Sequence, residues 1–105
     1  MNLEKETKDY LSFVRKHPCI VCFEPHVDAD HLQVRGMGGI GRKKGRTHTG
    51  TIADFACVPL CRLHHTERHS HTLRDFEKKH KVNCYELVHH YFSTYVYSCI
   101  NYMED

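Results

Sequence analysis

The chain has 105 residues, six cysteines, eleven histidines and a formal charge of +2 with the histidines neutral. A single small domain of this length has a limited core and is commonly stapled by a metal or by disulfides. No apolar run approaches the ~20 residues of a membrane span, so a membrane-spanning helix is excluded, while the mild net charge neither demands nor excludes nucleic acid.

The N-terminal MNLEKETKDY mixes acidic and basic residues and lacks the apolar centre of a secretory signal. A reducing cytoplasm is therefore expected, and there closely spaced cysteines and histidines point to metal rather than disulfides. Residues 3–16 predict a helix with Leu3, Tyr10, Leu11, Phe13 and Val14 as its apolar stripe, ended by Pro18. Residues 18–25, PCIVCFEP, form a turn bounded by prolines. Residues 26–34 alternate in part and predict a strand, with Val27 and Ala29 on one side and Asp28, Asp30 and Leu32 on the other.

Residues 35–50 hold all six glycines and predict a loop. Arg35, Arg42, Lys43, Lys44 and Arg46 lie in this loop with no acidic residue among them, an electrostatic footprint that phosphate can use. A solvated loop face explains the same charges without any ligand. Residues 52–60 predict a second strand ending at Pro59, and residues 61–71 and 73–80 predict two short helices. Asn83 can cap a final helix over 84–100, whose apolar face is Leu87, Val88, Tyr91, Phe92, Tyr95, Val96 and Cys99. The expectation is one domain over 1–105, with a core at about 17–80 between an N-terminal and a C-terminal helix.

Cys19 and Cys22 are separated by two residues, as are Cys61 and His64. The first pair sits in a tight turn and the second at the first turn of a helix, so both pairs can face one ion. Three cysteines and a histidine make a closed tetrahedral set that favours structural Zn2+. His65 and Cys57 are near enough in sequence to compete for the fourth place. Cys57, Cys84 and Cys99 lack such spacing and read as core residues, and His71, His80, His89 and His90 as surface or packing residues.

Asp30 directly precedes His31 in DADH, and alternation sends adjacent strand side chains to opposite faces. His65 and His69 are four apart, so a helix puts both on one face, able to share a cation. His64 is rotated from His65 by about 100°, towards Cys61, so one helix can serve two metals.

CxxC, then DH, then an acidic residue followed by PLCxxHHxxxH resembles the HNH (ββα-metal, His-Me finger) endonucleases. It is most similar to the small phage and bacterial enzymes related to the recombination enhancement function (Ref) protein. The resemblance covers residues 17–71. It implies an α+β fold, a zinc-stabilised β-hairpin and helix clamped round a catalytic divalent cation; the flanking N- and C-terminal helices lie outside the resemblance. It further implies metal ligation by Asp30, His65 and His69, His31 as general base, and structural zinc on Cys19, Cys22, Cys61 and His64. The middle family position, usually Asn, falls near Asp54, which orients His31, binds metal or does neither.

The implied activity is hydrolysis of DNA phosphodiester bonds in a phage or prophage setting, with no membrane partner. An imidazole, of ordinary pKa about 6.5, can take a proton from water at neutral pH. A divalent cation, Mg2+ or Mn2+, offsets charge developing at the phosphate; one carboxylate with two imidazoles also accepts Ni2+ or Zn2+. A backbone carbonyl is expected to hold the second nitrogen of His31. Arg62 and the basic loop would grip flanking phosphates without reading sequence. Two other classes fit part of the pattern: a non-catalytic zinc-stabilised nucleic-acid-binding module, and an interaction protein working through its aromatic C-terminal helix.

Overall fold

The structure is a computed structural model that describes residues 3–32 and 52–104. The 35–50 loop, with Arg35, Arg42, Lys43, Lys44 and Arg46, lies outside the described residues. In chain order come α1 (Leu3–Arg15), β1 (Asp28–His31), a 3-10 turn (Ile52–Phe55), β2 (Cys57–Leu60), α2 (Arg62–Ser70), α3 (Leu73–His80) and α4 (Cys84–Glu104). Among the described residues the fold is therefore α+β, with four helices around a two-stranded sheet.

Helix α1 buries Thr7, Tyr10, Leu11 and Val14 on one side. The Thr7 hydroxyl donates to the carbonyls of Leu3 and Glu4 at 2.8 and 3.0 Å, so its burial leaves no unmet polar group there. Pro18 disfavours helix at the residue before it, and His17 instead turns its Nδ1–H onto the Phe13 carbonyl at 2.9 Å, closing the helix end.

Strands β1 and β2 pair antiparallel, with Asp28 opposite Leu60, Ala29 opposite Pro59, Asp30 opposite Val58 and His31 opposite Cys57. Cross-strand partners share a face. Asp28 and Asp30 thus lie on the side of Leu60 and Val58, and α2 covers that side. The expected strand over 26–34 is shorter than its alternation suggested, and β2 continues one residue past Pro59. The Pro59 carbonyl accepts from Ile20 N–H at 3.1 Å, away from β1. A strand residue directs its N–H and C=O to one side, so the missing Pro59 N–H costs the β1 pairing nothing.

The expected strand over 52–60 is corrected in its first half. Residues Ile52–Phe55 form a 3-10 turn, closed by Ala56 N–H on the Ala53 carbonyl at 3.0 Å. Ala53 and Asp54 in this turn are buried, as are Ala56 and Cys57 after it. Helix α3 is capped by the Thr72 hydroxyl, which accepts from Asp75 N–H at 3.1 Å. It ends on Lys81, whose positive φ of 56° is the left-handed conformation common after helices. Asn83 caps α4 as expected, accepting from Glu86 N–H at 3.1 Å. The helix runs to Glu104, beyond the expected end at 100.

The core has two parts, one on each side of β2. Val58, Leu60, Phe76, Cys84 and Val88 fill one, and Tyr10, Leu11, Val14, Cys57 and Tyr91 fill the other. Helix α4 closes both through Cys84, Val88 and Tyr91, while Tyr97 and Ile100 further along it stay exposed. No helix among the described residues is long and apolar enough to cross a membrane.

Candidate metal centre

The turn after α1 is shaped around a sulfur. Phe23 N–H donates to the Cys19 carbonyl at 2.9 Å, Cys19 N–H donates to the Glu24 carbonyl at 3.0 Å, and Val21 N–H points at Cys19 Sγ at 3.4 Å. Phe23 holds a left-handed φ of 65° to complete this loop, a conformation costing about 1 kcal/mol or more for a non-glycine residue. Cys61 is the extended N-cap residue of α2, so His64 stands one helical turn further on and over the same spot.

Cys19, Cys22, Cys61 and His64 bring four ligand atoms within 4.8 Å of one another. Zinc–sulfur and zinc–nitrogen bonds in a tetrahedron set ligand atoms about 3.8 Å apart for two sulfurs and about 3.6 Å for sulfur and nitrogen. The measured separations are 3.7 Å for Cys22 Sγ to Cys61 Sγ, 3.8 Å for Cys19 Sγ to His64 Nδ1 and 3.1 Å for Cys61 Sγ to His64 Nδ1. The group therefore fits a metal such as zinc. Burial pushes the Cys19 thiol up, but hydrogen bonds from the backbone of Cys61, Cys22 and Val21 outweigh it and bring the thiol down to about 7. That favours the thiolate a metal requires. The competitors for the fourth place point elsewhere. Cys57 donates to the Asp54 carbonyl at 3.2 Å on the far side of β2, and His65 faces Asp30. All six cysteines are free of disulfides.

A second group forms where α2 crosses β1. Asp30, His65 and His69 also bring ligand atoms within 4.8 Å of one another. Asp30 Oδ1 lies 3.2 Å from His65 Nε2 and 3.1 Å from His69 Nε2. Ligand atoms each about 2.1 Å from a shared cation stand about 3.0–3.4 Å apart, so this trio also has the dimensions of a cation site. The site is partly open: Asp30 is 1% exposed, His65 21% and His69 58%.

Two residues that the spacing arguments passed over complete this corner. His65 Nδ1 lies 3.0 Å from Asp28 Oδ2. The Arg68 guanidinium forks onto Asp30, with Nε on Oδ2 and Nη2 3.0 Å from Oδ1, and Nη2 also lies 3.4 Å from the His31 carbonyl. The available signals were that Asp28 precedes Asp30 by two on a strand, and that Arg68 follows His65 by three on a helix. Arg62, expected at phosphates, is exposed and pairs with Asp28 at 3.3 Å.

His31 points to the other side of β1, as strand alternation requires. Its Nε2 lies 2.7 Å from Oδ1 of the buried Asp54. A carboxylate accepts, so Nε2 carries the hydrogen and Nδ1 keeps the lone pair. The expected backbone carbonyl at His31 is thus replaced by a carboxylate, because the 3-10 turn carries Asp54 inward. His80, read as surface or packing, is only 14% exposed on its side chain. It sits on Glu67, with its ring 5.3 Å from that of His64.

The family described as "Protein of unknown function (DUF968)" matches residues 2–96. The chain belongs to this family. Among curated proteins it is similar to "Uncharacterized protein YdfU" of Escherichia coli (strain K12), 39% identical over 71 residues, which is 68% of this chain. The match covers 18% of that relative's own length. No solved structure matches.

Proposed function

We propose that the chain is a metal-dependent DNA endonuclease of the HNH type, in which Cys19, Cys22, Cys61 and His64 hold a structural zinc. The single observation that carries this reading is the convergence of Asp30, His65 and His69 on one point; His31, next to Asp30 in the chain and on the opposite face of β1, has its ring oriented by Asp54. Strand β1, the 3-10 turn and helix α2 supply these groups, in that order.

With Nε2–H given to Asp54, His31 Nδ1 is the atom that takes a proton from water. The water oxygen forms a bond to phosphorus, the bond from phosphorus to the 3′ oxygen breaks, and solvent protonates the leaving oxygen. The buried Asp54 carboxylate then stabilises the imidazolium that His31 becomes. A cation held by Asp30, His65 and His69 supplies charge neutralisation at the phosphate and the leaving oxygen. One carboxylate with two imidazoles suits Mn2+ better than Mg2+, which prefers oxygen ligands. Arg62 and the basic loop are assigned to flanking phosphates.

A second reading, a zinc-braced nucleic-acid-binding module without catalysis, draws on Arg68, which already neutralises the buried Asp30. It leaves the His31–Asp54 pair without a role. Nicking of supercoiled plasmid by the zinc-loaded chain with Mn2+ separates the two. Cleavage that depends on added Mn2+ supports the nuclease. DNA binding with no cleavage by any of Mn2+, Mg2+ or Ni2+ supports the module and rejects the nuclease.

A further inference from the structure

We infer that Asp28 and Arg68 are positioning residues that decide which atoms of His65 and Asp30 face the cation. This rests on the reading of Asp30, His65 and His69 as a divalent-cation site.

A neutral imidazole has one N–H and one lone pair, and it ligates only through the lone pair. Asp28 Oδ2 stands 3.0 Å from His65 Nδ1, while His65 Nε2 stands 3.2 Å from Asp30 Oδ1. The Asp28 carboxylate takes the Nδ1 hydrogen and so fixes the lone pair at Nε2, the nitrogen on the Asp30 side. Without that acceptor, the ring is free to carry its hydrogen on Nε2, and the ligand is lost for that fraction of molecules. The i, i+2 spacing on β1 makes this possible, because Asp28 and Asp30 then reach the same helix from the same face.

Arg68 acts on the carboxylate. Its fork engages both oxygens of Asp30, which stops rotation about the carboxyl group. An oxygen has two lone-pair directions, so the fork leaves Oδ1 one to present between His65 and His69. Nη2 also reaches the His31 carbonyl, which ties the ligand Asp30 to the backbone of the residue that carries the base. A lysine keeps the charge but cannot make the fork.

The test uses the zinc-loaded 105-residue chain and titrates Mn2+ alone, with free Mn2+ read by electron paramagnetic resonance. Partners of metal ligands commonly contribute about 10- to 100-fold in metal affinity, so Asp28→Ala and Arg68→Lys are each expected to weaken Mn2+ binding by that factor. Asp28→Asn keeps an acceptor oxygen and is expected to stay near wild type. Nitrogen-15 histidine spectra are expected to show His65 as the Nδ1–H form in the wild type and as a mixture in Asp28→Ala, a change that mere loss of stability does not produce. Unchanged or tighter Mn2+ binding in folded Arg68→Lys and Asp28→Ala, with His65 spectra unmoved, overturns the inference. If His65→Ala and His69→Ala also bind Mn2+ as tightly as wild type, the cation site itself is wrong. If only those two weaken binding, the site stands and the positioning roles fall.

Discussion

The two ligand groups share one helix and differ in almost every other respect. Cys19, Cys22, Cys61 and His64 are drawn from two short spacings, and they close on themselves with sulfur and nitrogen alone. Asp30, His65 and His69 are drawn from a strand and a helix far apart in sequence. They mix oxygen with nitrogen and leave His69 more than half exposed. A closed set with four ligands suits a permanent ion that contributes to folding, whereas an open set leaves room for exchangeable ligands. The offset of His64 from His65 by one residue separates the two duties, since consecutive helical residues face directions about 100° apart.

The sharpest way to break this comparison is to attack the closed group. Cys19→Ser is expected to abolish the stoichiometric zinc and the cooperative thermal transition together, because structural zinc binding is itself folding free energy. Metal analysis and circular dichroism check this; a variant that melts like wild type without zinc ends the structural role. Next in size, His31→Ala should reduce plasmid nicking by about 10²- to 10⁴-fold while zinc content stays at the wild-type value. Retained cleavage in that variant removes His31 as the base.

In the proposed nuclease Asp54 would act through His31, so Asp54→Ala is expected to cost less, about 10- to 100-fold in nicking rate. Asp54→Asn should recover part of that loss because an acceptor oxygen remains. Equal losses in the two variants would argue that Asp54 serves burial rather than orientation.

The smallest effect belongs to the edge of α2. Hydrogen bonds from Lys79 and then His80 hold the Glu67 carboxyl down at about 2, against an ordinary 4.5. A carboxyl depressed in the folded state adds stability above its unfolded value, and the addition is lost as pH falls through the folded one. The melting temperature of Glu67→Gln should therefore lie slightly below wild type at pH 7, with the gap closing between pH 4.5 and 2. A gap that is constant across that window contradicts the ion pair as its source.

Much of the local architecture was legible in advance. Pro18, Asn83 and the alternation of DADH each act over a few residues, so the helix ends and the face shared by Asp28 and Asp30 follow from the chain alone. The expected strand over 52–60 failed in its first half because a short buried stretch reads alike as strand or helical turn, and here Ala56 N–H closes on the Ala53 carbonyl. His80 carried no sequence signal, since its partners Glu67 and His64 lie on another helix whose angle to α3 no local pattern specifies.

By itself the sequence determined which residues could act as pairs: CxxC, CxxH and the i, i+4 histidines are fixed by turn and helix geometry. It also determined that His64 and His65 would serve different directions. Only the tertiary structure decided what stands opposite each pair. The β1–β2 register and the crossing of α2 bring Asp30 to His65 and His69, Arg68 to Asp30, and Asp54 to His31. Those meetings depend on packing between elements distant in the chain, and packing is settled by the whole core rather than by any short stretch of residues.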